Sequence, residues 1–173
     1  MPFAPRSYRS QISQSWMTTA IVFFAYVLLS VAMTWPLVLH FTTKVISGGD
    51  NTQLIWNYWW VKHAIVDMKV NPFYTDYLFY PNRTGLVLDA IVFLNGFFSS
   101  PLQYFLPLPA IYNLAVLLSF SISGFGVYLL AGRFIKEKRA AFMAGVVFAS
   151  FRSTVLFHNI AMTQWVPFYL FFC

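Results

Sequence analysis

The sequence predicts an all-α, polytopic membrane helical bundle with an outer-side loop of amphipathic or interfacial helices. Three observations predict it. First, the 173 residues are 59% hydrophobic and 21% aromatic but only 9% charged, where soluble domains carry roughly 25% charged residues. Second, residues 16–39, WMTTAIVFFAYVLLSVAMTWPLVL, hold no charge and are long enough to cross a hydrocarbon core of about 30 Å. Third, residues 110–132, AIYNLAVLLSFSISGFGVYLLAG, repeat that pattern and run directly into RFIKEKR, which packs Arg133, Lys136, Lys138 and Arg139 together. The net charge of +6 therefore reads as loops that orient spans rather than as a nucleic-acid surface, and no nucleic-acid partner is expected. The single cysteine, Cys173, rules out an internal disulfide framework.

Residues 1–15 are polar, with Arg6 and Arg9 and no acid, which places the N-terminus in the cytoplasm. The span 16–39 is too long for the apolar region of a signal peptide, so it reads as retained. Residues 40–109 then form an outer loop. Within it, GGDNTQLIWNYWWVKHAIVD predicts an amphipathic helix over 50–68, with Asp50 able to cap its first turn. At about 100° per residue, Asp50, Gln53, Asn57, Trp60, Ala64 and Asp67 share one stripe, flanked by Trp56 and His63. This polar face carries acids, amides and indoles with little solubilising charge. It suits either a wet, sugar-binding groove at a membrane surface or an interfacial helix whose tryptophans anchor it among headgroups.

Residues 85–106 have the length to span, but Asp89, Asn95, Gly96, two serines and Pro101 interrupt them. Topology decides against a crossing. The chain leaves span 16–39 on the outside, and the basic turn 133–139 lies inside, so only span 110–132 crosses between them. The stretch 85–106 is therefore expected to be re-entrant or interfacial, broken near Asn95-Gly96 or Ser99-Pro101. Residues 140–157 cross outward again, 158–163 turn, and 164–173 begin a further span. The sequence stops inside VPFYLFFC, so it reads as a fragment whose remaining C-terminal spans are missing. Ala141, Gly145 and Ala149 recur every four residues, as do Ala115, Ser119 and Ser123, a spacing that lets helices approach closely.

The candidate chemistry gathers at the outer face. Arg152 near the end of its span either snorkels to the headgroups or offers a cation to a substrate phosphate. His158 lies just past that span. Asp50 and His63 are about 19 Å apart along one helix, so they cannot share a metal. The sequence holds no zinc spacing, phosphate loop or nucleophile elbow; no metal ligand set is assigned, and a divalent ion is the only cofactor left open.

The segments GGDNTQLIWNYWWVKHAI, YPN…FLNGFFSSPL, AIYNLAVLLSFSISGFGVYLLAGR and HNIAMTQWVPFYL, in this order, resemble the multi-spanning GT-C glycosyltransferases, in particular mannosyltransferase-like membrane proteins of bacteria and archaea. The resemblance implies an integral plasma-membrane hexosyltransferase of the cell envelope. It would move a sugar from a polyprenyl-phosphate-linked donor to an acceptor at the outer face. Asp50 matches the acid that serves there as catalytic base or helps to bind a metal. Gln53, Asn57, Trp60, Arg152 and His158 are the expected substrate-binding residues. Family members have many more spans, so this stretch alone is expected to be inactive. The other reading is a non-catalytic polytopic protein, a transporter or assembly subunit, that shares the architecture.

Overall fold

The computed structural model describes residues 8–45, 51–87, 93–155 and 165–173, with side chains for 16–45, 51–87, 93–150 and 165–173. Among them the chain is an all-α helical bundle. Its helices are α1 (Tyr8–Met33), α2 (Asn51–Lys62), α3 (Phe93–Ser99), α4 (Leu108–Phe134), α5 (Lys138–Val155) and α6 (Val166–Phe172). The described strands, β1 (Tyr74–Thr75) and β2 (Thr84–Gly85), form one short antiparallel ribbon, with Tyr74 opposite Gly85. Among the described residues, two helices are long and apolar enough to cross a membrane, Trp16–Met33 within α1 and Leu108–Phe134, each with a mean hydropathy of 2.0. Helix α5 carries Lys138, Arg139 and Arg152 within its 18 residues and does not reach that measure.

Helix α4 is the axis of the fold. Pro107 precedes it in extended conformation and Pro109 occupies its first turn, where a missing backbone N–H costs nothing. Arg133 lies in its last turn, where a cation complements the carbonyl end of the helix dipole. Helices α1 and α5 join it through small residues. Ala141, Gly145 and Ala149 of α5 are buried, as are Ser119 and Ser123 of α4, and Ala115 is half-buried. Gly124 and Gly145 face each other across the α4–α5 contact, and Tyr26 of α1 lies against both. A Cβ added to Gly145 would overlap both the Tyr26 hydroxyl and the Gly124 carbonyl, and one on Gly124 would lie 2.7 Å from the Tyr26 ring. The Tyr26 hydroxyl donates to the Phe142 carbonyl at 2.9 Å. Higher up, the Ser30 and Ser121 hydroxyls lie 3.2 Å apart across the α1–α4 contact. Helix α6 runs beside the later half of α4: Gly126 meets Pro167 and Phe168, and the Arg133 guanidinium stacks 3.7 Å over the Phe171 ring.

The segment between α1 and α4 folds into a layer at one end of the bundle. After α1 the chain makes a 3-10 turn, Leu37–His40. Asn113, fully buried in α4, donates through Nδ2 to the carbonyls of Phe41 and Lys44 at 2.8 and 2.7 Å. Helix α2 then lies between two apolar clusters. Leu54 and Tyr58 pack with Ile111, Tyr112, Val116 and Phe120 of α4. Trp60, Val61 and Ala64 pack with Leu86, Phe73, Leu78 and Phe93 on the other side. Within the stretch 85–106, α3 runs unbroken through Asn95-Gly96. Gly96 is there because a Cβ would come within 2.9 Å of Val61. The helical break falls at Ser100-Pro101, before the 3-10 turn Leu102–Tyr104.

Candidate functional site

The site expected from the sequence lies on α2. The helix starts at Asn51, whose Oδ1 accepts from the Tyr112 hydroxyl at 2.8 Å, so its first turn is tied to α4. It continues as a π-helical segment, His63–Asp67, closed by the Met68 N–H on the His63 carbonyl at 2.9 Å. Lys69, with φ 55°, then reverses the chain, and the Val70 N–H reaches back to the Ala64 carbonyl at 2.8 Å. This is a left-handed helix stop of the kind usually filled by glycine.

That reversal sends residues 70–87 back across α2, which decides the fate of the predicted polar stripe. Asn57 is fully buried and Trp60 is 2% exposed, while Gln53 is half-buried. Trp60 Nε1–H donates to the Pro72 carbonyl at 2.9 Å, and its ring stacks on Trp56 at 5.6 Å with only 2° between planes. The stripe expected to face a wet groove is thus interior at Asn57 and Trp60. Helical periodicity identifies the residues that share a face, but the returning loop that covers the face is a tertiary feature. Asp50 and His158, as well as Asp89, lie outside the described residues. Arg152 lies within α5, but its side chain is not among those described.

The structure brings together a second group that the sequence reading did not pair. His63 Nδ1 lies 2.9 Å from Asp67 Oδ2, and His63 Nε2 lies 3.2 Å from the Tyr77 hydroxyl. A neutral imidazole with its proton on Nδ1 satisfies both contacts: Nδ1–H donates to the carboxylate and Nε2 accepts the phenol proton. Trp59 stacks on the imidazole at 4.8 Å and 15°, and Tyr77 stands edge-on to it at 5.9 Å and 82°. The His63 and Asp67 side chains are 23% and 49% exposed. The four-residue spacing of His63 and Asp67 was a signal available in the sequence; Tyr77, in a loop, gave none. Chemically, this is a carboxylate–imidazole–phenol chain able to hold or pass a proton at a partly wet surface.

Tyr58 belongs to the cluster on the α4 side of α2. Burial pushes its phenol above the usual range, and a hydrogen bond from Asn95 Nδ2, 3.4 Å from the hydroxyl, opposes that shift. Beside it, an open cleft of 160 Å³ between α3 and α4 is lined by Asn95, Phe98, Ser99, Leu102, Ile111 and Leu118 among others. Among the described residues, no group of three or more His, Cys, Asp or Glu side chains is placed to hold a metal ion. No protein-family model matches the chain, and neither a curated protein nor a solved structure matches it.

Proposed function

We propose that this is a non-catalytic polytopic membrane protein, of the transport or assembly class, in which the layer built by α2, the ribbon and α3 is an outer-side scaffold. The observation that carries this reading is the interior position of Asn57 and Trp60, with the indole N–H committed to Pro72. A face spent on packing is not available to a substrate. The long apolar helices α1 and α4 supply the spans. Phe79, Tyr80, Phe98 and Phe105 of the outer layer are 70% or more exposed, as suits aromatic rings set at headgroup level.

The test is topological and chemical together. In a Cys173→Ser background, Phe79→Cys reacts with an impermeant maleimide on intact cells, while Lys136→Cys reacts only after permeabilisation. Equal labelling of both positions on intact cells would remove the spanning reading. The purified, reconstituted protein is expected to transfer no sugar from polyprenyl-phosphate donors.

A second reading, the lipid-linked sugar transferase, is favoured by the Asp67–His63–Tyr77 chain beside the Trp59 ring. It pairs an acid–base group with a flat apolar platform. Sugar transfer by the wild type, reduced at least about a hundredfold by Asp50→Asn or His63→Ala, would establish this reading over the first.

A further inference from the structure

At the opposite end of the bundle from α2, residues of α1, of α4, of the α4–α5 turn and of α5 line an open cleft of 760 Å³. Its lining includes Met17, Thr18 and Ile21 of α1, Tyr128, Leu129 and Gly132 of α4, and Ala141 of α5. Arg133, Lys136 and Lys138 belong to the same lining. The Arg133 guanidinium carbon lies 3.7 Å over the centre of the Phe171 ring, a cation–π contact that holds the group beside the cleft. The first turn of α5 holds no acid and begins with Lys138 and Arg139. Two cations at the positive end of a helix dipole are unfavourable without an anion nearby. Glu137, directly before the helix, supplies one such anion: its Oε1 accepts from the Arg139 N–H at 3.4 Å, which leaves the Arg133, Lys136 and Lys138 side chains as the cationic part of the cleft lining.

We infer that this cleft seats the phosphodiester headgroup of an anionic phospholipid, an inference that rests on the membrane-spanning reading above. The phosphate meets Arg133, Lys136 and Lys138, and the glycerol oxygens meet the Thr18 and Tyr128 hydroxyls. The acyl chains leave along Met17, Ile21 and Leu129, of which Met17 and Ile21 are exposed. Basic clefts between spans on the cytoplasmic side have the chemistry for such headgroups. A merely solvated basic turn would need neither the apolar lining nor the volume. Gly132 separates the two cases, because a Cβ placed on it meets nothing within 4 Å. A larger side chain there fills the cleft without disturbing the packing or the charge.

The experiment is native mass spectrometry of the full chain, released from vesicles of equal phosphatidylglycerol and phosphatidylcholine. Retention of the membrane-bound chain through alkaline carbonate is checked for every variant. The wild type should retain phosphatidylglycerol preferentially. Lys136→Gln and Lys138→Gln should each lower that preference about fivefold, the effect of one cation near a lipid surface. Gly132→Leu should lower it at least as much with the charge unchanged, and soluble glycerol phosphate should not compete. Equal retention of both lipids by the wild type overturns the inference. So does an unchanged preference in Gly132→Leu, which means diffuse surface attraction, or full competition by glycerol phosphate, which means a phosphate site. Release of the wild type by carbonate is a different failure, that of the spanning reading itself.

Discussion

The bundle and the layer above it are held together by opposite means. Where α1, α4 and α5 meet, the contact is made by removing side chains: Gly124 and Gly145 bring two backbones together, and one hydroxyl, Tyr26, bridges the third helix to the Phe142 carbonyl. In the layer, contact is made by adding side chains: Trp60, Tyr58, Tyr112 and Leu54 are all nearly or fully buried. On the proposed membrane-spanning reading, the solvents explain the difference. Among lipid tails, burying one more apolar group gains little, so helices associate through close backbone approach and dispersion. At a wet surface, burying a large ring removes apolar area from water at roughly 25 cal/mol per Å². The two regions therefore respond differently to the same kind of substitution.

The largest effect is expected in the layer. Trp60→Ala removes a ring that is 2% exposed and strands the Pro72 carbonyl, so it should cost about 4 kcal/mol. Denaturant unfolding of the reconstituted protein measures it, and a loss under about 1 kcal/mol would mean that burial does not hold the layer. The bundle should show the reverse sensitivity. Gly145→Val adds bulk where a Cβ already overlaps Tyr26 and Gly124 and should cost about 3 kcal/mol. If helix separation in mixed micelles registers no loss, the small-residue contact is not what joins α4 to α5.

The smallest effect sharpens the comparison through pH. Tyr58 belongs to the layer, and its burial favours the neutral phenol. A group whose value is raised by folding stabilises the fold fully below its unfolded value, about pH 10 for tyrosine, and loses that contribution as pH rises through the folded value. Stability should therefore fall above about pH 10, and Tyr58→Phe should flatten part of that fall. An unchanged alkaline slope would show that the Tyr58 hydroxyl reaches water.

What the sequence could show follows from the same physics. The four-residue spacing of Ala141, Gly145 and Ala149 marked the α4–α5 contact because only small residues permit that approach. Tyr26, one ring among many in an apolar run, carried no such mark. Along α2 the stripe of Gln53, Asn57 and Trp60 was legible as a stripe, but its surroundings were not. Its cover comes from Pro72, Phe73, Leu78 and Leu86, reached only after the chain reverses at Lys69. The His63–Asp67 pair was within reach of a spacing argument, whereas its link to Tyr77 depends on that same reversal. Asn95-Gly96 offered itself as a helix break, yet Gly96 is there for a neighbour, Val61, rather than for a turn.

The π-helical segment His63–Asp67 has one further consequence. A π turn holds one residue more than the α turn it replaces, so it acts as a local store of surplus chain length. Deleting one residue between 63 and 67 lets the helix relax to ordinary winding, with His63 and Asp67 left three apart on adjoining positions while Asn57 and Trp60 stay in register. A deletion earlier in α2 turns the whole buried face by about 100°. This turn is therefore where the layer can change length without being rebuilt.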